Sequence, residues 1–101
     1  MNSPVHITDK AYQEIVNIME NKNIPEGYGL RMGVRGGGCS VSFILGFDKE
    51  KDQDQVYQLE GVSIFIQKKE LMFLIGKEVD FYDGSDARGF VFVTPEVNLP
   101  K

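Results

Sequence analysis

Two periodicities divide the chain. Between Asp9 and Asn21, the apolar residues Ala11, Ile15, Ile18 and Met19 recur at helical spacing, which gathers them on one stripe of a helix. Thr8 stands just before that run and supplies an N-cap, its hydroxyl accepting a free backbone N–H of the first turn. The segment NKNIPEGYG ends the helix, because Asn, Pro25 and two glycines favour turns. From there the period drops to two. In LRMGVR, Leu30, Met32 and Val34 share one face while Arg31 and Arg35 take the other. In CSVSFILGF, Val41, Phe43, Leu45 and Phe47 line up in the same way, and the glycines between the two runs join them as a hairpin.

The polar stretch from Asp48 to Gln55 interrupts this pattern and reads as a solvated loop. Asp48, Glu50 and Asp52 alternate as in a calcium loop, yet Gln53 occupies the position that such a loop gives to glycine, and no helices flank it. QVYQLEG and VSIFIQ follow as two strands with Gly61 between them. KKELMFLIG, rich in helix formers and closed by Gly76, predicts a short helix. KEVDFYDG and GFVFVTPE are the last strands, separated by the turn residues of DGSDARG. Many hairpins and few helices predict an α+β, mainly β sandwich of short mixed and antiparallel strands, with an N-terminal helix and one short later helix. At 101 residues the chain reads as one domain, residues 1–101.

Charge and composition narrow the choice of partner. The net charge is −4, from 11 basic and 15 acidic residues, and no run of Lys and Arg stands out. Neither nucleic acid nor an anionic membrane is therefore expected as a partner. MNSPVHITDKAYQ shows no basic region followed by an apolar run, and no apolar stretch is long enough to span a bilayer. A single cysteine suits a reducing compartment. Together these features point to the cytoplasm.

That cysteine, Cys39, lies in GVRGGGCS, directly after three glycines. Gly33, Gly38 and Ser40 match positions of a phosphate-binding loop, but Cys39 stands where its lysine should be, and the residues that follow form a strand pattern rather than a helix. A thiolate nucleophile needs a base, and the sole histidine, His6, precedes the first helix, where an exposed side chain is expected. Arg31 and Arg35 offer positive charge near the thiol, although arginines flanking a turn are usually solvated. By parity Cys39 belongs with Val41 and Phe43, as a small apolar residue facing the core. The glycines argue the other way, since each costs roughly 0.5–1 kcal/mol in regular structure and is useful where the backbone turns or is closely approached.

The residues themselves suggest a family. LRMGVRGGGCSVSFILGFD resembles the first signature of the A-type iron–sulfur carriers, the HesB/IscA-like group, in which a strand runs into Gly-Gly-Cys-Ser-Gly and a second strand. HITDKAYQEIVNIM, GVSIFI and IGKEVDFYDG match in order, and GFVFVTPEV resembles the closing Gly-Phe…Asn-Pro-Asn segment, with Thr94 and Glu96 replacing both asparagines. The resemblance implies a HesB-like domain that assembles as a dimer or larger homo-oligomer and holds iron or an iron–sulfur cluster between chains. It also implies protein partners, namely assembly components or recipient apoproteins. Of the family's three cysteine ligands, only the one matched by Cys39 is present. A Cys-Gly-Cys pair would fall about sixty to sixty-five residues later, at or just past Lys101, where the sequence stops after NLPK without cysteine, and Val41 replaces the glycine after Cys39-Ser40.

If these residues are the whole protein, a symmetric dimer offers two thiolates, and carboxylates, water or an external thiol such as glutathione must complete a site. Three functions follow from this. The expected one is a non-enzymatic iron–sulfur assembly or carrier protein with Cys39 as its cofactor and metal ligand. The alternatives are a protein-binding module that keeps the fold without metal, and a thiol redox sensor.

Overall fold

The computed structural model describes residues 3–37 and 40–94. In chain order the elements are β1 (His6–Ile7), α1 (Asp9–Asn21), β2 (Tyr28–Gly37), β3 (Ser40–Lys49), β4 (Asp54–Leu59) and β5 (Val62–Gln67). After them come a 3₁₀ turn (Lys68–Glu70), α2 (Leu71–Leu74), β6 (Glu78–Asp83) and β7 (Arg88–Val93). The α+β, mainly β expectation holds, with both helices where the sequence predicts them. Only β1 has no counterpart in the sequence pattern.

Local chemistry accounts for the elements. Thr8 caps α1 as expected, its Oγ1 accepting the Ala11 N–H at 3.1 Å, and its hydroxyl also donates to Asp80 Oδ1 at 2.8 Å. The second bond ties the start of the helix to β6 and holds the Asp80 carboxyl below its ordinary value, the hydroxyl being the main cause. Glu60 and Gly61, both at positive φ (44° and 89°), make the two-residue connection that sets Leu59 opposite Val62. Such a turn matches the twist of the paired strands, which is why Gly61 reads so clearly as a hairpin signal.

The strands form two sheets. The first has the order β1-β6-β7, with β1 parallel to β6 and β6 antiparallel to β7. The second has the order β3-β2-β5-β4, with hairpins β2–β3 and β4–β5 joined through a parallel pairing of β2 with β5. One core serves both sheets. Ala11 and Ile15 from α1, Leu30 and Met32 from β2, Ile64 and Ile66 from β5, and Val79 from β6 are all buried. Burying each large aliphatic side chain contributes roughly 1.5–3 kcal/mol. Phe43 of β3 stacks on Phe92 of β7 with centroids 5.2 Å apart, fastening the edge of the second sheet to the first. Met72, Phe73 and Ile75 of the α2 region remain exposed, while Leu74 is buried in the core and Leu71 packs against it. No described helix is long and apolar enough to cross a membrane.

Candidate functional site

The site suggested by the sequence sits at the far end of the β2–β3 hairpin. The register runs unbroken from Tyr28 opposite Lys49 to Gly37 opposite Ser40. The two residues that join these strand ends in the chain are Gly38 and Cys39, and both lie outside the described residues. The hairpin itself follows the alternation. Leu30 and Met32 are buried, and Val34, Phe43, Leu45 and Phe47 pack against the core at its margin. Val41, which shares the face of these phenylalanines, is already 39% exposed, so burial on that face fades along β3 toward its start.

Support for the hairpin is lopsided. β3 accompanies β2 over its whole length, whereas β5 pairs with it only from Leu30 to Met32. Past that point one further contact comes from Glu70, whose Oε1 accepts the Val34 N–H at 3.1 Å.

At the other end of the hairpin the structure corrects the expectation of a solvated Arg31 and shortens the exposed Asp48–Gln55 loop to residues 50–53. Asp48 belongs to β3, and Asp54 and Gln55 to β4. The Arg31 side chain is 14% exposed and that of Asp54 fully buried. Arg31 Nη1 and Nη2 donate to the two Asp54 carboxylate oxygens at 2.8 and 2.7 Å, and Nε donates to Asp48 Oδ2 at 2.9 Å. Asp54 also accepts from Gln67 Nε2 at 2.6 Å and from the Lys51 N–H at 2.7 Å. These bonds, with the Arg31 guanidinium first, hold the Asp54 carboxyl down at about 2. Asp48 is likewise lowered to about 2, chiefly by the Lys51 ammonium 3.0 Å away. Arg31 is raised in turn, mainly by its bonds to Asp54.

This cluster is a structural tie between β2, β3 and β4. It satisfies its own charges, so Asp48, one of the three carboxylates of the calcium-like alternation, is already engaged by Arg31 and Lys51. Arg31 is thereby neutralised as a source of positive charge for the thiol, while Arg35 stays exposed on β2. Sequence reading missed the cluster because Arg31 lies 17 residues from Asp48 and 23 from Asp54.

The remaining residues that the sequence singled out are dispersed. His6, 69% exposed in its side chain, faces Glu78 at 3.8 Å on the other sheet, in keeping with an exposed histidine. Thr94 accepts a hydrogen bond from Lys77 Nζ at 2.8 Å, and Glu96 lies outside the described residues. Among the described residues no group of three or more His, Cys, Asp or Glu side chains is arranged to hold a metal ion.

Comparison with known proteins bears on what this architecture serves. Residues 4–99 match the family described as iron-sulphur cluster biosynthesis. The chain is 36% identical over 96 residues to the iron-binding protein IscA of Xenorhabdus nematophila, covering 93% of this chain and 88% of that one. It is also 36% identical over 93 residues to the mitochondrial iron-sulfur cluster assembly 1 homolog of Danio rerio, covering 90% and 70%. Among solved structures, Escherichia coli SufA, involved in biosynthesis of iron-sulfur clusters, superposes with a TM-score of 0.74 at 25% identity, over 93% of this chain and 82% of that one. IscA solved with a [2Fe-2S] cluster gives 0.68 at 26% identity, over 90% and 82%. The fold, the hairpin and these likenesses agree along almost the entire sequence, and the protein belongs to the iron-sulphur cluster biosynthesis family.

Proposed function

We propose that this protein is a carrier in iron–sulfur cluster assembly, taking iron or a cluster as cargo and passing it to other proteins, with Cys39 as the thiolate that each chain contributes. The observation that carries the reading is the β2–β3 hairpin. Its register ends at Gly37 and Ser40 on either side of the only cysteine in the sequence, in a chain whose fold matches an IscA that holds a [2Fe-2S] cluster.

The chemistry fits that assignment. Thiolate is a soft ligand suited to iron–sulfur centres, and a cluster that is to be handed on benefits from incomplete or exposed ligation. Cys39 offers a single thiolate, and a second copy would bring another, so the reading takes residues 1–101 as one carrier domain acting as a homo-oligomer with Cys39 residues meeting between copies. An external thiol, carboxylates or water would supply the remaining positions. Such a protein works as a carrier rather than an enzyme. It belongs in a reducing compartment such as the cytoplasm, where a lone cysteine stays a thiol. Its partners are the proteins that donate and receive the cargo.

Anaerobic reconstitution with iron and sulfide tests this directly, read by visible absorbance and by metal content per chain. The wild-type protein is expected to take up iron and develop charge-transfer bands, and Cys39→Ala to lose both. Equal metal in the two proteins, or none in either, refutes the reading.

A further inference from the structure

Beyond Met32 the β2–β3 hairpin continues past the end of its pairing with β5, and one side chain takes over where that neighbour stops. β5 leads through Gln67 straight into the 3₁₀ turn that ends at Glu70. Glu70 occupies the N-cap position of α2, yet its side chain makes no capping bond there. It reaches back to β2 instead, where Oε1 accepts the Val34 N–H at 3.1 Å.

The neighbouring residue makes this approach possible. A Cβ added to Gly33 would stand 2.6 Å from the same oxygen, closer than real Cβ contacts come. The missing side chain at position 33 is thus the space through which the carboxylate reaches the strand. An ordinary neighbouring strand would offer Val34 a backbone carbonyl. Glu70 offers a charged acceptor, and hydrogen bonds of that kind are the stronger ones.

We propose that Glu70 is a positioning residue for the cargo-bearing hairpin. It replaces the missing strand beside β2, steadies the segment from Gly33 to Gly37, and so sets how the chain is led into Gly38 and Cys39. The inference rests on the carrier reading of Cys39 for its functional part, while the clamp on Val34 stands on geometry alone.

Three variants test it: Glu70→Ala, Glu70→Gln and Gly33→Ala. In the metal-free protein, amide exchange at Val34 is expected to quicken roughly tenfold or more in Glu70→Ala, as befits loss of a bond to a charged acceptor, while amides within α1 keep wild-type rates. Glu70→Gln keeps an acceptor oxygen and should restore most of the protection. Gly33→Ala should mimic Glu70→Ala by displacing the carboxylate, and should add little in the double variant, since both act on one contact.

In reconstituted protein, Glu70→Ala and Gly33→Ala are expected to release iron to a chelator severalfold faster than wild type, with Glu70→Gln close to wild type. Val34 exchange within twofold of wild type in Glu70→Ala, or additive effects in the double variant, overturns the clamp. Faster exchange with unchanged iron release overturns the positioning role. Should wild type and Cys39→Ala alike take up no iron, the carrier reading fails by itself, and the exchange cycle still upholds or overturns the clamp.

Discussion

Replacing Asp54 with asparagine keeps the shape of the side chain and removes the charge at the centre of the Arg31 cluster. The Asp54 side chain is fully buried and receives four bonds: two from Arg31 and one each from Gln67 and the Lys51 N–H. Its carboxyl falls from an ordinary 3.8 to about 2, a difference equivalent to roughly 2 kcal/mol of preference for the folded state. Breaking a buried ion pair by removing one partner costs about 3–5 kcal/mol. Here Arg31 keeps Asp48 at 2.9 Å and retains some exposure, so the lower end applies. The expected loss is therefore about 2–3 kcal/mol near neutral pH, large enough to move the midpoint of a urea titration plainly.

The sign of the pH effect follows from the direction of the shift. The folded chain binds this proton less tightly than the unfolded chain, so ionisation of Asp54 favours folding. Its contribution is whole above the unfolded value near 4 and disappears as pH falls through about 2. Urea titrations from neutral pH downward should show wild type and Asp54→Asn converging across that acid window. Asp48, lowered to a similar value, leaves some acid sensitivity in both proteins. A difference below about 0.5 kcal/mol at neutral pH, or a gap that persists undiminished at about pH 2, would refute the reasoning.

Two further outcomes are expected from the core and the helix cap. Ile64→Ala, at a fully buried core position of β5, should cost about 2–5 kcal/mol in a denaturant titration. Thr8→Ala removes both the α1 cap and the bond to Asp80, for about 1–2 kcal/mol, and Thr8→Ser should recover most of it because the hydroxyl is retained.

Much of the fold was legible because it depends on local rules. The cap at Thr8, the stripe of Ala11 and Ile15, the alternation through Leu30, Met32 and Val34, and the positive-φ turn at Gly61 each need only a few adjacent residues to declare themselves. The family signature around Cys39 was legible for the same reason, as a contiguous motif. β1 escaped notice because two residues cannot show a period, and its existence depends on a parallel partner, β6, more than seventy residues away.

What the sequence alone determined was which residues turn inward and where the chain reverses, since helix and strand periods and glycine chemistry act over a few positions. What only the tertiary structure decided was which edges meet. The parallel pairing of β2 with β5 ends at Met32, and that brings Glu70 to Val34 and leaves room for it only at a glycine. The same folding carries Asp48 and Asp54 to Arg31, tying together the two ends of what reads as a solvated loop. Such contacts join residues far apart in the chain, and their energies depend on burial and on bond geometry. Neither quantity exists until the sheets have packed.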